Sequence, residues 1–187
     1  MNESQNKTKL LVISGSSGVG KGTVIKSLLE KCPDLNLSIS CTTRNKREGE
    51  VHGVNYFYLT QEEFDNAVAQ DEFLEWAKFS GNCYGTKKSY IEECLANQKN
   101  VLLEIDTQGA LQIKEKMPEA LLIFIAPPSF EELEARLRGR HTETEEAIQK
   151  RLKCVKSELE NSKQYDYVIV NDKVENAVEK ILKIIGE

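Results

Sequence analysis

Apolar runs alternate with amphipathic stretches along most of the chain. Several runs are nearly continuous in Leu, Ile and Val, which is typical of strands buried on both faces. These runs are residues 10–13, 101–106, 121–126 and 167–170. Apolar residues at helical spacing predict helices at residues 23–31, 87–98 and 174–185. Core strands that alternate with helices specify a parallel sheet with helices on both faces, so we predict an α/β fold.

Helix starts are marked by the sequence Ser/Thr-x-x-Glu. The hydroxyl accepts a hydrogen bond from the glutamate backbone amide, and the glutamate carboxylate accepts one from the amide of the Ser or Thr. This sequence occurs at residues 60–63, 129–132 and 142–145. The first predicts a helix to about Gln70 and the second a helix to Arg138. The third predicts a long helix that packs through the apolar stripe Ile148, Leu152, Val155 and Leu159.

Residues 37–79 depart from this alternation. Short segments there have the aromatic and β-branched content of strands. They are residues 37–40, 54–59 and 73–79, and Gly81 and Gly85 are predicted to bracket a loop that holds Tyr84. We therefore predict one domain, residues 1–187, whose core is about 9–36 and 88–187. A small, mostly antiparallel lobe is inserted at about 37–87.

The overall charge is acidic, with 30 Asp and Glu against 25 Lys and Arg among 187 residues. This balance argues against broad nucleic-acid binding, which usually needs a basic surface. The start of the chain is polar and no run reaches the length of a membrane span, so we expect a cytoplasmic protein. The five cysteines have no short paired spacing and are expected to be reduced thiols. With two histidines, no histidine-based metal site or catalytic triad is expected.

The stretch from Gly15 to Thr23 carries the clearest chemical signal. Its spacing Gly-x4-Gly-Lys lies between a predicted strand and a predicted helix, where backbone N–H groups can cradle phosphates. The candidate ATP-binding residues are Gly15, Ser16, Ser17, Gly18, Val19, Gly20, Lys21, Gly22 and Thr23. Lys21 would reach the outer phosphates. The alternative is a loop before a helix that is merely rich in Gly and Ser.

Gly22 stands where the phosphate-loop pattern has Ser or Thr, and the hydroxyl comes one residue later, at Thr23. A direct hydroxyl ligand for Mg²⁺ is therefore not specified. The metal would be held largely through the ATP phosphates and water, or Thr23 would serve a phosphate. No protein metal ligand is assigned, and the working class is an enzyme or switch that uses ATP or GTP.

Several separated segments resemble, in order and spacing, those of guanylate kinases. They are Ser38-Ile39-Ser40-Cys41-Thr42-Thr43-Arg44 with Arg47, Gly49-Glu50, Gly53 and Tyr56; Phe73-Leu74-Glu75-Trp76; Gly81-Asn82-Cys83-Tyr84-Gly85-Thr86; Glu104-Ile105-Asp106-Thr107-Gln108-Gly109; Ile125-Ala126-Pro127-Pro128-Ser129; and Val168-Ile169-Val170-Asn171-Asp172. The resemblance covers nearly the whole chain from Lys9. It departs at Ser16 and Lys46, where the family often has proline, and at Thr86, where serine is frequent.

The resemblance implies a GMP site in the predicted lobe. By similarity the phosphate is held by Arg44, Arg47, Tyr56 and Tyr84, whose forks and hydroxyls suit phosphate oxygens. Glu75 would accept from guanine N1–H and N2–H, with Ser40 donating to O6 and Asp106 sharing the task. Thr86 and Glu104 complete the implied substrate-binding set. Taken alone, each residue also has an alternative without a binding role. The arginines could belong to a solvated basic loop, the tyrosines could pack within strands, and Glu75 could be an exposed strand residue.

A second basic cluster resembles the lid of nucleotide kinases, at about residues 130–155. Arg136, Arg140 and Arg151 would bind the ATP phosphates and offset charge as the phosphoryl group moves. The alternative is a charged helix hairpin with salt bridges to Glu131, Glu134 and Glu145. Asn171 and Asp172 lie where the family contacts adenine, beyond the carboxyl end of a core strand.

Together these features predict in-line transfer of the γ-phosphoryl group of ATP to GMP, within purine nucleotide metabolism. Lys21, Arg44, Arg136, Arg140 and Arg151 are the predicted catalytic residues. Two alternatives remain open. One is a non-catalytic scaffold module that holds partner peptides in the same pocket, and the other is an adenylate- or uridylate-type kinase. Small-molecule substrates are the expected partners, with no nucleic acid or membrane, and the protein is expected to be a monomer or homodimer.

Overall fold

The computed structural model describes residues 9–16, 18–139 and 145–186, except the side chains of residues 136, 147, 150, 151, 154 and 156. The strands are β1 (Leu10–Gly15), β2 (Leu35–Leu37), β3 (Cys41–Thr42), β4 (Phe57–Tyr58), β5 (Phe73–Phe79), β6 (Asn82–Lys87), β7 (Asn100–Glu104), β8 (Leu121–Ala126) and β9 (Tyr167–Val170). The helices are α1 (Lys21–Lys31), α2 (Gln61–Ala69), α3 (Lys88–Ala96), α4 (Thr107–Lys116), α5 (Phe130–Arg138), α6 (Glu145–Asn161) and α7 (Val174–Ile185). A short 3₁₀ helix, Ser162–Gln164, follows α6.

The larger sheet has five strands in the order β2-β7-β1-β8-β9. Strand β2 pairs with β7, and β8 with β9, in parallel. The strands predicted from continuous apolar runs are present. Val12 and Ile13 of β1 and Ile123 of β8 are 0% exposed, whereas only Ile169 is buried in β9. The predicted parallel α/β fold is therefore confirmed.

The smaller sheet has four strands in the order β4-β3-β6-β5. Strand β6 is antiparallel to both β3 and β5, while the short β3 and β4 are parallel. Its core includes Phe64 of α2 stacked on Phe73 of β5, with ring centroids 4.5 Å apart. The mostly antiparallel second sheet expected from the sequence is present. The strand predicted at residues 37–40 is not part of it, because residues 35–37 form β2, which pairs with β7 in the larger sheet, and residues 38–40 form no strand.

The chain divides into two compact units. Unit 1 contains the described residues up to Leu11 together with Asp34–Leu121, and unit 2 contains Val12–Pro33 and the described residues from Leu122 onward. The smaller sheet lies wholly within unit 1, and α1, α5, α6 and α7 lie within unit 2. The lobe bounds of 37–87 and the lid bounds of 130–155 remain predictions.

The predicted helix starts follow from local hydrogen bonds. The Thr60 hydroxyl accepts from the Glu63 amide at 3.1 Å, and the Glu63 carboxylate accepts from the Thr60 amide at 2.7 Å. The Ser129 hydroxyl accepts from the Glu132 amide at 3.1 Å. Both predicted caps are confirmed, while the third, at Thr142, lies outside the described residues. The apolar stripe of α6 packs against Leu133 and Leu137 of α5.

The prediction of a loop between Gly81 and Gly85 is wrong, because residues 82–87 form strand β6. A two-residue turn at Ser80 and Gly81, both with positive φ, returns the chain directly onto β5. Such turns match the twist of paired strands, so the ladder continues to the turn. Gly85 is a strand residue whose absent side chain leaves room for the Phe73 ring. Helix α4 was not predicted at all.

Among the described residues, none of the helices combines the length and the apolar character needed to cross a lipid bilayer. Four of the described cysteines, Cys32, Cys41, Cys83 and Cys94, are buried and do not form disulfide bonds with one another. Cys154 lies outside the described side chains.

Candidate active site

The Gly-rich loop joins β1 to α1 within unit 2, as its flanks predict. The Val19 amide donates to the Ser16 carbonyl at 3.2 Å, which closes a tight turn. Gly20 caps α1 with φ 90° and ψ 21°, a left-handed conformation that favours glycine. Its carbonyl accepts from the amides of Thr23 and Val24, so the helix begins directly after the loop. Ser17 lies outside the described residues.

A cavity of about 500 Å³ opens beside this loop. It is lined by Gly18, Val19, Gly20, Thr23, Gly139, Asn171, Asp172 and Val174. Asn171 is 4% exposed and its side-chain amide donates to the Val19 carbonyl at 2.7 Å. The structure thus brings the residue after β9 to the phosphate-type loop. The volume lies in the range of small-ligand pockets.

Asp172 is exposed and its carboxylate is already engaged. It accepts from the Lys173 amide at 2.8 Å and from the Asn176 side chain at 3.0 Å. The backbone hydrogen bond from Lys173 is the main reason why the pKa of Asp172 lies below its ordinary value. Asp172 therefore reaches the cavity as an anion that is held in place.

Several loop side chains have features that suit a phosphate ligand. The Ser16 hydroxyl oxygen is buried with no hydrogen-bond partner among the described residues, so a ligand oxygen could satisfy it. Lys21 is the first residue of α1 and is partly exposed. A helix start presents free backbone N–H groups and partial positive charge, which adds to the charge of the ammonium group.

The donor set for a metal ion is sparse. Within the described residues, no group of three or more His, Cys, Asp or Glu side chains could hold a metal ion. Gly22 supplies no side-chain oxygen, and Thr23 is an exposed cavity residue with a single hydroxyl. These side chains are too few to hold a metal ion by protein ligands alone. They fit a Mg²⁺ ion that arrives with nucleotide phosphates and keeps its waters.

The predicted lid arginines are only partly visible. Arg140 lies outside the described residues, and the side chains of Arg136 and Arg151 are also outside them. Arg138, which was not predicted, donates to Glu134 at 2.7 Å and bonds both oxygens of Glu145. The Arg138 hydrogen bonds lower the pKa of Glu145 to about 2. The charged-hairpin alternative thus describes Arg138 but does not decide the role of the other three.

Glu75 in β5 is a buried carboxylic acid of unit 1, only 3% exposed. Its cross-strand partner Thr86 in β6 donates a hydroxyl hydrogen bond at 2.5 Å. Burial raises the pKa of Glu75 to about 7, which the Thr86 bond opposes and the nearby Asp106 charge reinforces. The expectation that an isolated Glu75 would be an exposed strand residue does not hold. A buried acceptor of this kind is a functional-site signal.

The other residues of the predicted guanine set lie on three elements of unit 1. Asp106 caps α4 and accepts from the Gly109 amide at 2.9 Å. Glu104 is exposed at the end of β7. Ser40 is half-buried directly before β3, and its carbonyl accepts from the Phe57 amide at 2.9 Å.

Arg44 is held beside aromatic rings. Its guanidinium carbon lies 5.4 Å from the Tyr56 ring centroid and 5.9 Å from that of Tyr58. The rings of Tyr56 and Tyr84 meet edge to face at 6.0 Å. Burial raises the pKa of Tyr56, so its hydroxyl stays a proton donor near neutral pH. The structure therefore groups three of the four residues predicted to bind phosphate.

The carboxylate of Glu50 organises this group, and sequence reasoning gave it no role. It accepts from the Arg44 guanidinium, the Arg47 amide and the Tyr58 hydroxyl, each at 2.8 Å. The Arg44 bond is the main reason why the pKa of Glu50 falls to about 2. The available signals were an acid six residues after an arginine in a polar segment and the place of Gly49-Glu50 among the segments that resemble guanylate kinases. The Arg47 side chain is exposed.

Comparison with known proteins places these sites in context. A family model described as guanylate kinase matches residues 7–187. A guanylate kinase of Oceanobacillus iheyensis is 51% identical over 181 residues, which cover 97% of this chain and 88% of the relative. One from Prochlorococcus marinus is 52% identical and covers 97% of this chain and 98% of its own. The crystal structure of guanylate kinase from Anaplasma phagocytophilum is 34% identical, with a TM-score of 0.80 over 97% of this chain and 86% of that chain.

Proposed function

The chain belongs to the guanylate kinase family, whose reaction is the phosphorylation of GMP to GDP by ATP, and we propose that Glu75 selects the base while the Gly-rich loop holds ATP. The observation that carries this assignment is the carboxylate of Glu75, which is buried, is hydrogen-bonded to Thr86 and has a raised pKa. It lies on the strand segment that the sequence assigns to guanine. Few roles other than recognition justify an ionisable acceptor in such a place.

Guanine presents two donors, N1–H and N2–H, on the edge where adenine presents an acceptor at N1. The Glu75 carboxylate, with one oxygen already bonded to Thr86, accepts from these donors and meets no donor at the corresponding N1 and C2 positions of adenine. A buried acceptor left without a donor costs about 1–3 kcal/mol, and more when it is charged. Glu75 therefore favours GMP over AMP. Ser40, Asp106 and Glu104 complete the base and ribose side of the site.

The GMP phosphate is assigned to Arg44, Arg47, Tyr56 and Tyr84. Arg44 has five N–H donors, and its described bonds go to Glu50 and to the Asn45 carbonyl. The rigid fork therefore retains donors for a phosphate while Glu50 fixes its direction. A carboxylate that orients an arginine in this way lowers the entropy lost on binding.

ATP is assigned to the loop and its cavity. The amides at the start of α1 and the ammonium group of Lys21 take the phosphates, and Asn171 and Asp172 take the adenine side of the cavity. Bound Mg²⁺ would neutralise phosphate charge, and the Thr23 hydroxyl, which lines the cavity, would bind a phosphate or a metal-bound water. We further assign Arg136, Arg140 and Arg151, within the proposed lid at about 130–155, to the transferring phosphoryl group.

The acceptor is already an anion, so this chain needs no general base. Its residues have to orient the two phosphates, offset their repulsion and exclude water. Lys21 and Arg44 supply fixed positive charge at the donor and the acceptor respectively. The lobe at about 37–87 is proposed as the part that carries GMP. A cytoplasmic location and a monomeric or homodimeric state remain proposals as well.

One assay separates this function from its alternatives. ADP release is measured with ATP and each of GMP, AMP, CMP and UMP, and calorimetry with GMP alone is run in parallel. We expect turnover with GMP far above the other three. Preference for AMP or UMP would indicate another monophosphate kinase. GMP binding without turnover would indicate a scaffold-type module, and absence of both would overturn the proposal.

A further inference from the structure

Strand β5 is irregular at the residue before Glu75. Phe73 pairs with Lys87 and Glu75 pairs with Thr86, so Leu74 is an extra residue opposite β6. This is a β-bulge, a feature that bends a strand and redirects the next side chain. Among the described strands, β5 is also the edge of its sheet, so no described strand pairs with its outer backbone groups. The bulge therefore sets the direction of the Glu75 side chain, but the strand segment around it needs other hydrogen-bond partners for its backbone.

Helix α4 provides that support on both sides of Glu75. The Lys116 ammonium group donates to the carbonyl of the bulged Leu74 at 2.5 Å. The Gln112 side chain donates to the Trp76 carbonyl at 2.7 Å and accepts from the Trp76 amide at 3.3 Å. Two side chains of one helix thus take the place of a missing strand next to the carboxylate.

Gly109 of the same helix sets how deep the carboxylate can lie. A Cβ atom at this position would come within 2.2 Å of one Glu75 carboxylate oxygen and 3.0 Å of its carboxyl carbon. No other residue type can stand here while Glu75 keeps its position. The conflict involves the far end of a side chain and not the backbone, so the carboxylate would move and the fold would remain.

Gly109, Gln112 and Lys116 follow the spacing i, i+3, i+7 and so occupy one face of α4. The helix start on this face is fixed by the Asp106 cap, which bonds the Gly109 amide. We propose that this face is a positioning element for base selection: Gly109 gives the Glu75 carboxylate its place, and Gln112 and Lys116 hold the bulged strand that carries it. The inference rests on the proposed role of Glu75.

The decisive variant is Gly109→Ala. Alanine favours a helix by up to about 1 kcal/mol over glycine, which offsets part of the cost of displacing the Glu75 carboxylate, so we expect the variant to fold. We expect the KM for GMP to rise on the order of 10- to 100-fold, as for a lost hydrogen bond to a charged group, while the KM for ATP stays unchanged. Gln108→Ala is the matched control, since Gln108 lies in the same turn and is exposed. It should leave both constants unchanged.

A rescue experiment tests whether the two residues compete for space. Glu75→Asp withdraws the carboxylate by one methylene and so makes room for an added methyl group. Gly109→Ala should therefore cost GMP binding much less in the Glu75→Asp background than it does beside the native Glu75. Equilibrium binding can be followed through Trp76, the single tryptophan, which adjoins Glu75. Fully additive losses would show that Gly109 does not act through Glu75.

Lys116→Met and Gln112→Ala test the strand supports independently. Each should raise the KM for GMP several-fold, with little change in the KM for ATP, because Leu74 or Trp76 loses a backbone partner. Equal losses for both substrates, or a fall in melting temperature without any change in GMP binding, would reduce α4 to a structural cover for an edge strand. An unchanged KM for GMP in Gly109→Ala would overturn the proposal, even if the base panel still showed a GMP kinase.

Discussion

The two binding regions use opposite physical means. The Glu75 site of unit 1 relies on one buried side chain whose charged form is disfavoured by burial and which accepts a hydrogen bond from Thr86. The loop of unit 2 relies on backbone amides, a left-handed glycine and a partly exposed lysine. A backbone site tolerates a departure such as Gly22, since amides need no particular side chain. A side-chain site does not tolerate such changes, so the first region should be more specific and more sensitive to pH.

The largest effect is expected for a substitution in the Gly-rich loop. Lys21→Ala removes the fixed charge at the ATP phosphates, and we expect kcat to fall roughly 10²- to 10³-fold, as for the loss of one electrostatic stabiliser of the transition state. GMP binding measured by calorimetry should be unchanged. Lys31→Ala, an exposed change in the last turn of the same helix, is the control. Normal turnover in Lys21→Ala would remove this loop from the mechanism.

The second-largest effect is expected for a substitution of Glu75. Glu75→Gln keeps the shape and the Thr86 bond but replaces one acceptor with an amide donor. The ratio of kcat/KM for GMP to that for AMP should fall on the order of 10- to 100-fold. The KM for ATP should not move. If the preference for GMP persists, base selection resides elsewhere, and Ser40 and Asp106 become the leading candidates.

A third effect sharpens the contrast through pH. Because the pKa of Glu75 is about 7, lowering the pH below 7 protonates the carboxylate and removes an acceptor for guanine. The KM for GMP should rise by up to about tenfold per pH unit below that value, and the KM for ATP should stay nearly flat. GMP itself also titrates near pH 6, since the second pKa of a phosphate is about 6. Glu75→Gln keeps that ligand titration, so only the difference between the two proteins belongs to Glu75.

The smallest effect concerns stability. In the folded protein Glu75 holds its proton up to about pH 7, whereas in the unfolded chain it is lost near the ordinary value of 4.5. The folded state therefore binds more protons between these values, and this group lowers the free energy of unfolding as the pH rises through them. Glu75→Gln removes the penalty and should raise the free energy of unfolding by roughly 1–3 kcal/mol at pH 8. Equal urea midpoints for the two proteins at pH 8 would contradict the assigned pKa, and no gain is expected at pH 4.

Local patterns predicted the parts of the structure whose causes are local. The apolar runs marked β1, β8 and β9 to within two residues, and the Thr60 and Ser129 caps marked α2 and α5. The Gly-rich loop was found for the same reason, since its glycines and its lysine lie within nine consecutive residues and its flanking strand and helix directly adjoin them. By contrast, α4 was missed because its apolar pattern is short and its cap, Asp106, was assigned only to the substrate.

The chain by itself determined the α/β alternation, the family and the phosphate-type loop, because each is written in periodicity or in contiguous residues. Only the tertiary structure decided that residues 82–87 pair with β5, that Glu50 binds Arg44 in its folded loop, and that Glu75 is buried against Thr86 and Gly109. Glu75 and Gly109 are far apart in sequence, and their closeness depends on a bulge and a helix face that no local pattern encodes. The pKa of a carboxylate depends on the groups that surround it, and the tertiary structure decides which groups those are.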